Sequence, residues 1–289
     1  MTRADRILFG ILKSVVGDAT QITFDHIGQV ARDLAQPPNG QDAVGLSIFC
    51  REFVRAYKNW NYDWRSNGEQ WLLYRLSAFN PSVVFDVGAN VGEWLSLARG
   101  ALPEAQLHAF EIVETTFAVL QEHFTAAPGI TLNNFGLSDR SGAITMHLFD
   151  QSNTLSSHVA YPHGGFRQVT CPVRRGDEYI KESGIDRIDL LKVDVEGAEH
   201  LVLSGFGAAL DAGRIDVIQF EYGKVNIITH FMLRDFYEFL EARGYVVGKL
   251  FPDHVDFRPY VLEDEDFLGP NYIAVRKVRP DIIDALRKR

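Results

Sequence analysis

Residues 83–94 read VVFDVGANVGEW. The apolar run stops on Asp86 and enters at once a loop in which Gly88 and Gly92 flank Ala89, Asn90 and Val91. A buried strand, a tight turn and a helix explain this order. In open α/β sheets ligands bind beyond the carboxyl ends of the strands, so this turn carries function as well as fold. Its D-x-G-x-x-x-G spacing is not the G-x-G-x-x-G of a nicotinamide site, because Asn90 holds the middle position. The Gly-Lys-Ser/Thr of a phosphate loop is absent too. Asp86 would repel a pyrophosphate and suits a ligand that carries an amine and hydroxyls.

Outward from this loop, strand-like and helix-like segments alternate. Strands are expected at LHAFE (107–111), ITLNNFGLSD (130–139), IDLLKVDVEG (188–197) and IDVIQFEYG (215–223), with helical periods between them. AITMHLF (143–149) and QVTCPV (168–173) read as partner strands, and AEHLVLSGFGAALDAG (198–213) as one helix. YVVGKL (245–250) and NYIAVRKV (271–278) follow a single helix and are joined by a stretch without helical period, so they are expected to pair antiparallel. The sum is an α/β chain with a mostly parallel, Rossmann-like sheet of seven strands, the last antiparallel, covered on both faces. Residues 1–80 read as an N-terminal helical extension broken at QPPNGQ (36–41), and 81–289 as the binding domain. The extension holds an aromatic series from Phe49 to Tyr74. It suits a core, a domain contact or a homodimer face, with a substrate-stacking surface as the lesser alternative.

The chain has 289 residues, with 29 Lys and Arg against 38 Asp and Glu, a net charge of −9. That balance disfavours a general nucleic-acid binder, which needs basic stripes. Cys50 and Cys171 are far apart and match neither a zinc spacing nor a disulfide framework, the pattern of reduced thiols in a cytoplasmic protein. No run approaches the ~20 apolar residues of a spanning helix. ILFGILKSVVG (7–17) is interrupted by Lys13 and lacks a clean small-residue cleavage site, so a first helix packed on the domain is expected there rather than a signal peptide, with a weak membrane-surface helix as the alternative.

A ligand with an ammonium group, ribose hydroxyls and a cationic sulfonium fits the acids that close successive strands: S-adenosylmethionine. Gly88 and Gly92 would let the backbone approach it without a Cβ in the way, with Asn90 in the same loop. Glu111 ends the second strand, where a carboxylate can accept two ribose hydroxyl protons. Ser138 and Asp139 end the third and offer acceptors to an adenine amino group.

NGEQWLLYRL (67–76), VVFDVGANVGEW (83–94), NFGLSDRSG (134–142) and IDRIDLLKVDVEGAEHLVLSGF (185–206) together resemble the FkbM family of S-adenosylmethionine-dependent methyltransferases. The last stretch is the most specific. The resemblance runs from about Asn67 to about Tyr222. It implies a class I methyltransferase fold and methyl transfer to the hydroxyl of a sugar, a glycan or a natural-product alcohol. It brings forward Glu69, within NGEQ, which either reaches the ligand's ammonium or faces water on a helix. Where the family often has Thr-Leu-Asp, this chain has Arg175-Gly176-Asp177.

An alcohol becomes a competent nucleophile only as its proton is removed, so a base or a metal is needed. Lys192, Asp194 and Glu196 share strand parity and would face one side if the strand persists. Lys192 is expected to orient a carboxylate and Asp194 to act in the site, both on the donor and in catalysis. Glu221 ends the neighbouring strand; with Asp194 it offers oxygens either to Mg²⁺ or to the acceptor's hydroxyls, and no third metal ligand is compelling. Glu199 opens a helix and reads as a first-turn acid. His158, in the polar SNTLSSHV stretch, ranks first among the histidines as a base. Two other functions remain open: a non-catalytic protein that keeps the donor-binding fold, and an NAD-dependent oxidoreductase, which Asn90 disfavours.

Overall fold

The computed structural model describes residues 32, 40–125, 127–149, 156–157 and 166–287. The helix expected at 7–17 and His158 lie outside the described residues. The chain divides into two compact units, Met1–Tyr57 and Lys58–Arg289. In the first, α1 (Gly40–Tyr57) carries Phe49, Phe53 and Tyr57 at four-residue spacing, successive ring centroids 6.4 Å apart.

The second unit starts at Lys58, where the sequence reading set the domain's start at residue 81. The reason is α2 (Glu69–Ser77), whose Leu72, Leu73 and Leu76 are buried in one core with Leu95, Leu190 and Leu250. Next come β1 (Val83–Val87), α3 (Glu93–Ala101), β2 (Gln106–Phe110), α4 (Glu114–His123), β3 (Ile130–Asn133), β4 (Gly136–Ser138), β5 (Gly142–Phe149), β6 (Ser156–Ser157), β7 (Phe166–Arg175) and α5 (Gly176–Glu182). The chain continues through β8 (Ile188–Val193), α6 (Glu199–Gly205), α7 (Gly207–Asp211), β9 (Ile215–Glu221), α8 (Asn226–Thr229) and α9 (Leu233–Glu241). It closes with β10 (Tyr245–Phe251), β11 (His254–Phe257), β12 (Asn271–Arg276) and α10 (Pro280–Leu286).

The main sheet has the order β11-β10-β12-β9-β8-β1-β2-β3. The β1, β2, β3, β8 and β9 pairings are parallel, whereas β12 runs antiparallel to both β9 and β10. This is the class I methyltransferase arrangement expected above, with β11 added at one edge. HVDF alternates only Val255 and Phe257 over four residues, too short a pattern to read as a strand, which is why β11 was not expected. The continuous apolar runs have a simple cause: Phe85 and Val87 pack into the core on one face of the sheet while Val84 packs into the core on the other.

Three further differences matter for the site. ITLNNFGLSD is two strands: β3 stays in the main sheet, and β4 leaves it to pair with β7 in a second sheet ordered β4-β7-β5-β6. β8 stops at Val193, so strand parity does not extend to Glu196, which is left-handed at φ 54°. The helix after β8 breaks at Phe206 into α6 and α7. Asp177, the one residue of Arg175-Gly176-Asp177 that follows the family pattern, accepts the Ala208 and Ala209 amide protons at 2.9 Å and caps α7.

Candidate active site

The loop after β1 is fastened to the end of β2. The Gly88 and Ala89 amides donate to the Phe110 carbonyl at 3.0 Å, and the Asn90 amide donates to Glu111 Oε2 at 2.9 Å. Glu111 Oε1 accepts the Val113 amide proton at 2.8 Å. Burial pushes the Glu111 carboxyl above its usual range, against these backbone donors. Gly88 has φ 86°, and a Cβ there would lie 1.7 Å from the Asp194 carbonyl oxygen. Glycine is thus required by the close approach of the loop to the end of β8. Gly92 is required by the Phe124 ring, 2.4 Å from its would-be Cβ.

Beneath the loop a polar row crosses the sheet. Asp86 pairs with Lys192 in the β1–β8 register, and Lys192 pairs with Gln219 in the β8–β9 register. Lys192 Nζ is 3.4 Å from Asp86 Oδ1 and 3.0 Å from Asp194 Oδ2. All three central residues of the row are buried. Burial opposes the Lys192 charge, yet Asp194, Asp86 and Glu69 outweigh it and raise its pKa. Burial also raises the Asp86 carboxyl. Glu69 joins from α2: its carboxylate accepts from Asn67 Nδ2 at 2.7 Å, Gln219 Nε2 at 2.9 Å and Asn271 Nδ2 at 3.3 Å. The sequence reading missed Asn67, Gln219 and Asn271. A glutamine inside the apolar IDVIQFE run was the available signal, since a buried polar side chain needs partners.

The loop after β8 adds acids. Glu199 is buried, and its Oε1 accepts the Val195 and Gly197 amide protons at 3.0 and 3.1 Å. Glu199 therefore fixes the loop, beyond being a first-turn acid. Its Oε2 is buried without a hydrogen-bond partner among the described residues. Burial is the main cause that pushes Glu199 up to about 7, and Glu196 likewise to about 7 with Asp194 and Glu199 contributing. Glu221, at the end of β9, is raised well above its usual range by burial and then by Asp194, Glu196 and Glu199.

Two cavities meet at this loop. The smaller, about 150 Å³, is walled by Glu111 and Asp194 and by Ile112, Leu137, Met146 and Val173. The larger, about 750 Å³, holds Glu69, Lys192, Asp194, Glu196, Glu199 and Glu221. Gly88, Asn90, Asp194 and Glu196 line both. The structure thus brings Glu69, Gly88, Asn90, Glu111, Asp194 and Glu221 to one cleft, with Asp86 directly behind Lys192. Gly92 is in the helix packing rather than on a wall. Ser138 and Asp139 are on neither cavity's wall: β4 carries Gly136 and Leu137 into the smaller one, and Ser138 Oγ donates to Asp139 Oδ1 at 3.1 Å. Among the described residues no group of three or more His, Cys, Asp or Glu is placed to hold a metal ion.

Residues 86–247, more than half of the chain, match the family model described as the methyltransferase FkbM domain. The hexuronic acid methyltransferase AglP of Haloferax volcanii is 28% identical over 159 residues, covering 54% of this chain and 64% of that protein. The 2-O-methyltransferase NoeI of Sinorhizobium fredii is 28% identical over 137 residues, covering 43% and 56%. The 31-O-demethyl-FK506 methyltransferase FkbM of Streptomyces tacrolimicus is 29% identical over 155 residues, covering 43% and 58%. The matched region spans about three fifths of the length of these curated relatives. Among solved structures, the plantazolicin methyltransferase BpumL with SAH aligns over 85% of this chain and 93% of that one, at 12% identity and a TM-score of 0.40.

Proposed function

The chain belongs to the FkbM methyltransferase family, and we propose that it transfers a methyl group from S-adenosylmethionine to a hydroxyl oxygen of a sugar, glycan or natural-product alcohol. Two of its relatives, a 2-O-methyltransferase and a 31-O-demethyl-FK506 methyltransferase, favour oxygen as the accepting atom.

The observation that carries this reading is the meeting of Glu111, Asn90 and Asp194 in one cleft with an apolar pocket on one side and an acidic chamber on the other. The donor set fits a cationic nucleoside. Ile112, Leu137, Met146 and Val173 suit an adenine ring, the Glu111 carboxylate retains lone pairs for ribose hydroxyls, and Glu69 and Asp194 face the ammonium. Glu199 Oε2, buried without a partner among the described residues, is a further sign that the chamber suits hydrogen-bond donors. S-adenosylmethionine supplies an electrophilic methyl group on a positively charged sulfur.

The protein's part is placement and removal of one proton. Lys192 fixes Asp194 in place through their 3.0 Å pair. Glu221, raised by burial and then by its acidic neighbours, takes the hydroxyl proton. Asp194 then orients the acceptor's hydroxyl. A homodimer through the stacked, exposed Phe49, Phe53 and Tyr57 of α1 is part of the same reading, as is a cytoplasmic location, which the two free thiols favour.

The test is incubation with labelled methyl donor and a panel of sugars, nucleotide sugars and polyketide alcohols, with and without chelator. Label in a base-stable ether on the acceptor is expected, insensitive to chelator. Donor binding with no transfer to any alcohol would favour a non-catalytic binding protein.

A further inference from the structure

The aromatic residues that precede α2 serve no purpose in the chemistry above, yet three of them border the acidic chamber. Trp60, Tyr62 and Trp64 line the larger cavity together with Glu69, Asp194 and Glu221. The three lie before the region that matches the family model. They are held rigidly. Asn59, left-handed at φ 57°, donates through Nδ2 to the Asn67 carbonyl at 2.8 Å and to the Leu250 carbonyl at 3.0 Å, anchoring the segment to β10. Trp60 and Tyr62 meet edge to face at 5.9 Å, and the Arg65 guanidinium stacks on Trp64 at 4.0 Å. Tyr62 is 63% exposed, a large ring kept at the rim instead of in a core. It shares its cavity with Glu221, Glu196 and Asp194, and its phenol is raised by partial burial and then by Glu221, with Glu196 and Asp194 adding to it.

Rings at a rim above carboxylates match one chemical shape. A pyranose has C–H faces that pack on the electron-rich faces of aromatic rings, and an edge of hydroxyls that donate to carboxylates. The charge of the chamber narrows the choice further. Glu69, Asp194, Glu196, Glu199 and Glu221 stand against Lys192, which is already paired, and Lys224, exposed at the edge. A ring bearing its own carboxylate would offer these carboxyls an acceptor where they need a hydroxyl donor, and would meet repulsion from those that are ionised.

We propose that Trp60, Tyr62 and Trp64 form an acceptor subsite that stacks an uncharged or amine-bearing sugar ring and rejects uronic acids. The subsite rests on the methyl-transfer reading, and it separates this chain in specificity from the hexuronic acid methyltransferase it resembles.

The experiment is direct binding to the full chain loaded with S-adenosylhomocysteine, read by saturation-transfer NMR and by tryptophan fluorescence. The probes are methyl glycosides of glucose, galactose, mannose and fucose, methyl glucosaminide, and methyl glucuronide and galacturonide. At least one neutral or amino glycoside is expected to bind through its ring C–H protons, with uronides about tenfold weaker or more. Trp64→Ala is expected to weaken the glycoside ~5-fold, as loss of one stacked ring implies. Tyr62→Ala, at an exposed position, should weaken it with no change in fold. Calorimetry with S-adenosylhomocysteine alone separates the two levels of failure: no binding sinks the methyl-transfer reading itself. Donor-product binding combined with uronides binding as well as neutral glycosides, with no glycoside binding, or with both variants matching the wild type overturns the subsite.

Discussion

Asp86 and Lys192 face each other across the β1–β8 register with Nζ 3.4 Å from Oδ1, and Lys192 reaches on to Asp194 at 3.0 Å. A buried cation thus holds two carboxylates, one behind the β1 loop and one in the cleft. Removing one partner of a buried pair leaves an uncompensated charge, which costs about 3–5 kcal/mol. Lys192→Met is expected to lower stability by about that much in urea denaturation, and Lys192→Met with Asp86→Asn to recover part of it. A single variant as stable as the wild type would show that the row is not coupled as described.

Glu111 ties two turns together through the Asn90 and Val113 amides. Glu111→Ala leaves both donors without their acceptor, a loss of roughly 1.5–3 kcal/mol per charged hydrogen bond. It should lower the melting temperature and weaken S-adenosylhomocysteine by at least about tenfold in calorimetry. Glu111→Gln keeps one acceptor oxygen and should keep more of the fold than of the affinity. Equal losses of both would assign Glu111 to structure alone.

Glu199 makes a pH prediction with a definite sign. Its value of about 7 in the folded chain stands above the ordinary 4.5, so the folded chain binds this proton more tightly than the unfolded chain does. Its contribution to stability is full below about pH 4.5 and is lost as the pH rises through 7. Glu199→Gln removes the titration while keeping an oxygen for the Val195 and Gly197 amides. Between pH 5 and 8 the wild type should therefore lose stability relative to Glu199→Gln by on the order of 3 kcal/mol. A difference between the two curves that does not change with pH would contradict the assignment.

Glu221→Gln should leave S-adenosylhomocysteine affinity within a few-fold and reduce methyl transfer by roughly 10²–10⁴, the usual worth of a general base. The wild-type rate should rise with pH as the raised Glu221 carboxyl ionises. A variant with wild-type turnover would move the base elsewhere.

Much of this was legible in the sequence because each reading needed only one strand and its end. Asp86, Gly88 and Glu111 sit where an apolar run meets a turn, and the sheet places such positions along one edge. The polar row was not legible, because Glu69 meets Gln219 and Asn271 only through α2 packing and the β9–β12 register, the partners standing 150 and 202 positions apart in sequence. Glycine at 88 was expected for a ligand's sake, and the Asp194 carbonyl, 106 positions on and out of reach of any local reading, demands it as well. Ser138 and Asp139 were misplaced for a similar reason: nothing local to NFGLSD says that β4 pairs with β7 instead of extending β3. Glu196 reached the cleft although the strand ends at Val193, because the left-handed turn at Glu196 and Gly197 brings the chain back.

The central claim is that the methyl donor lies where the β1, β2 and β8 ends converge. A crystal structure with S-adenosylhomocysteine tests it most directly. Density is expected with the ribose against Glu111, the adenine between Ile112 and Leu137, and the amino-acid end toward Glu69 and Asp194. A ligand bound anywhere that leaves Glu111 and Asp194 untouched would contradict it.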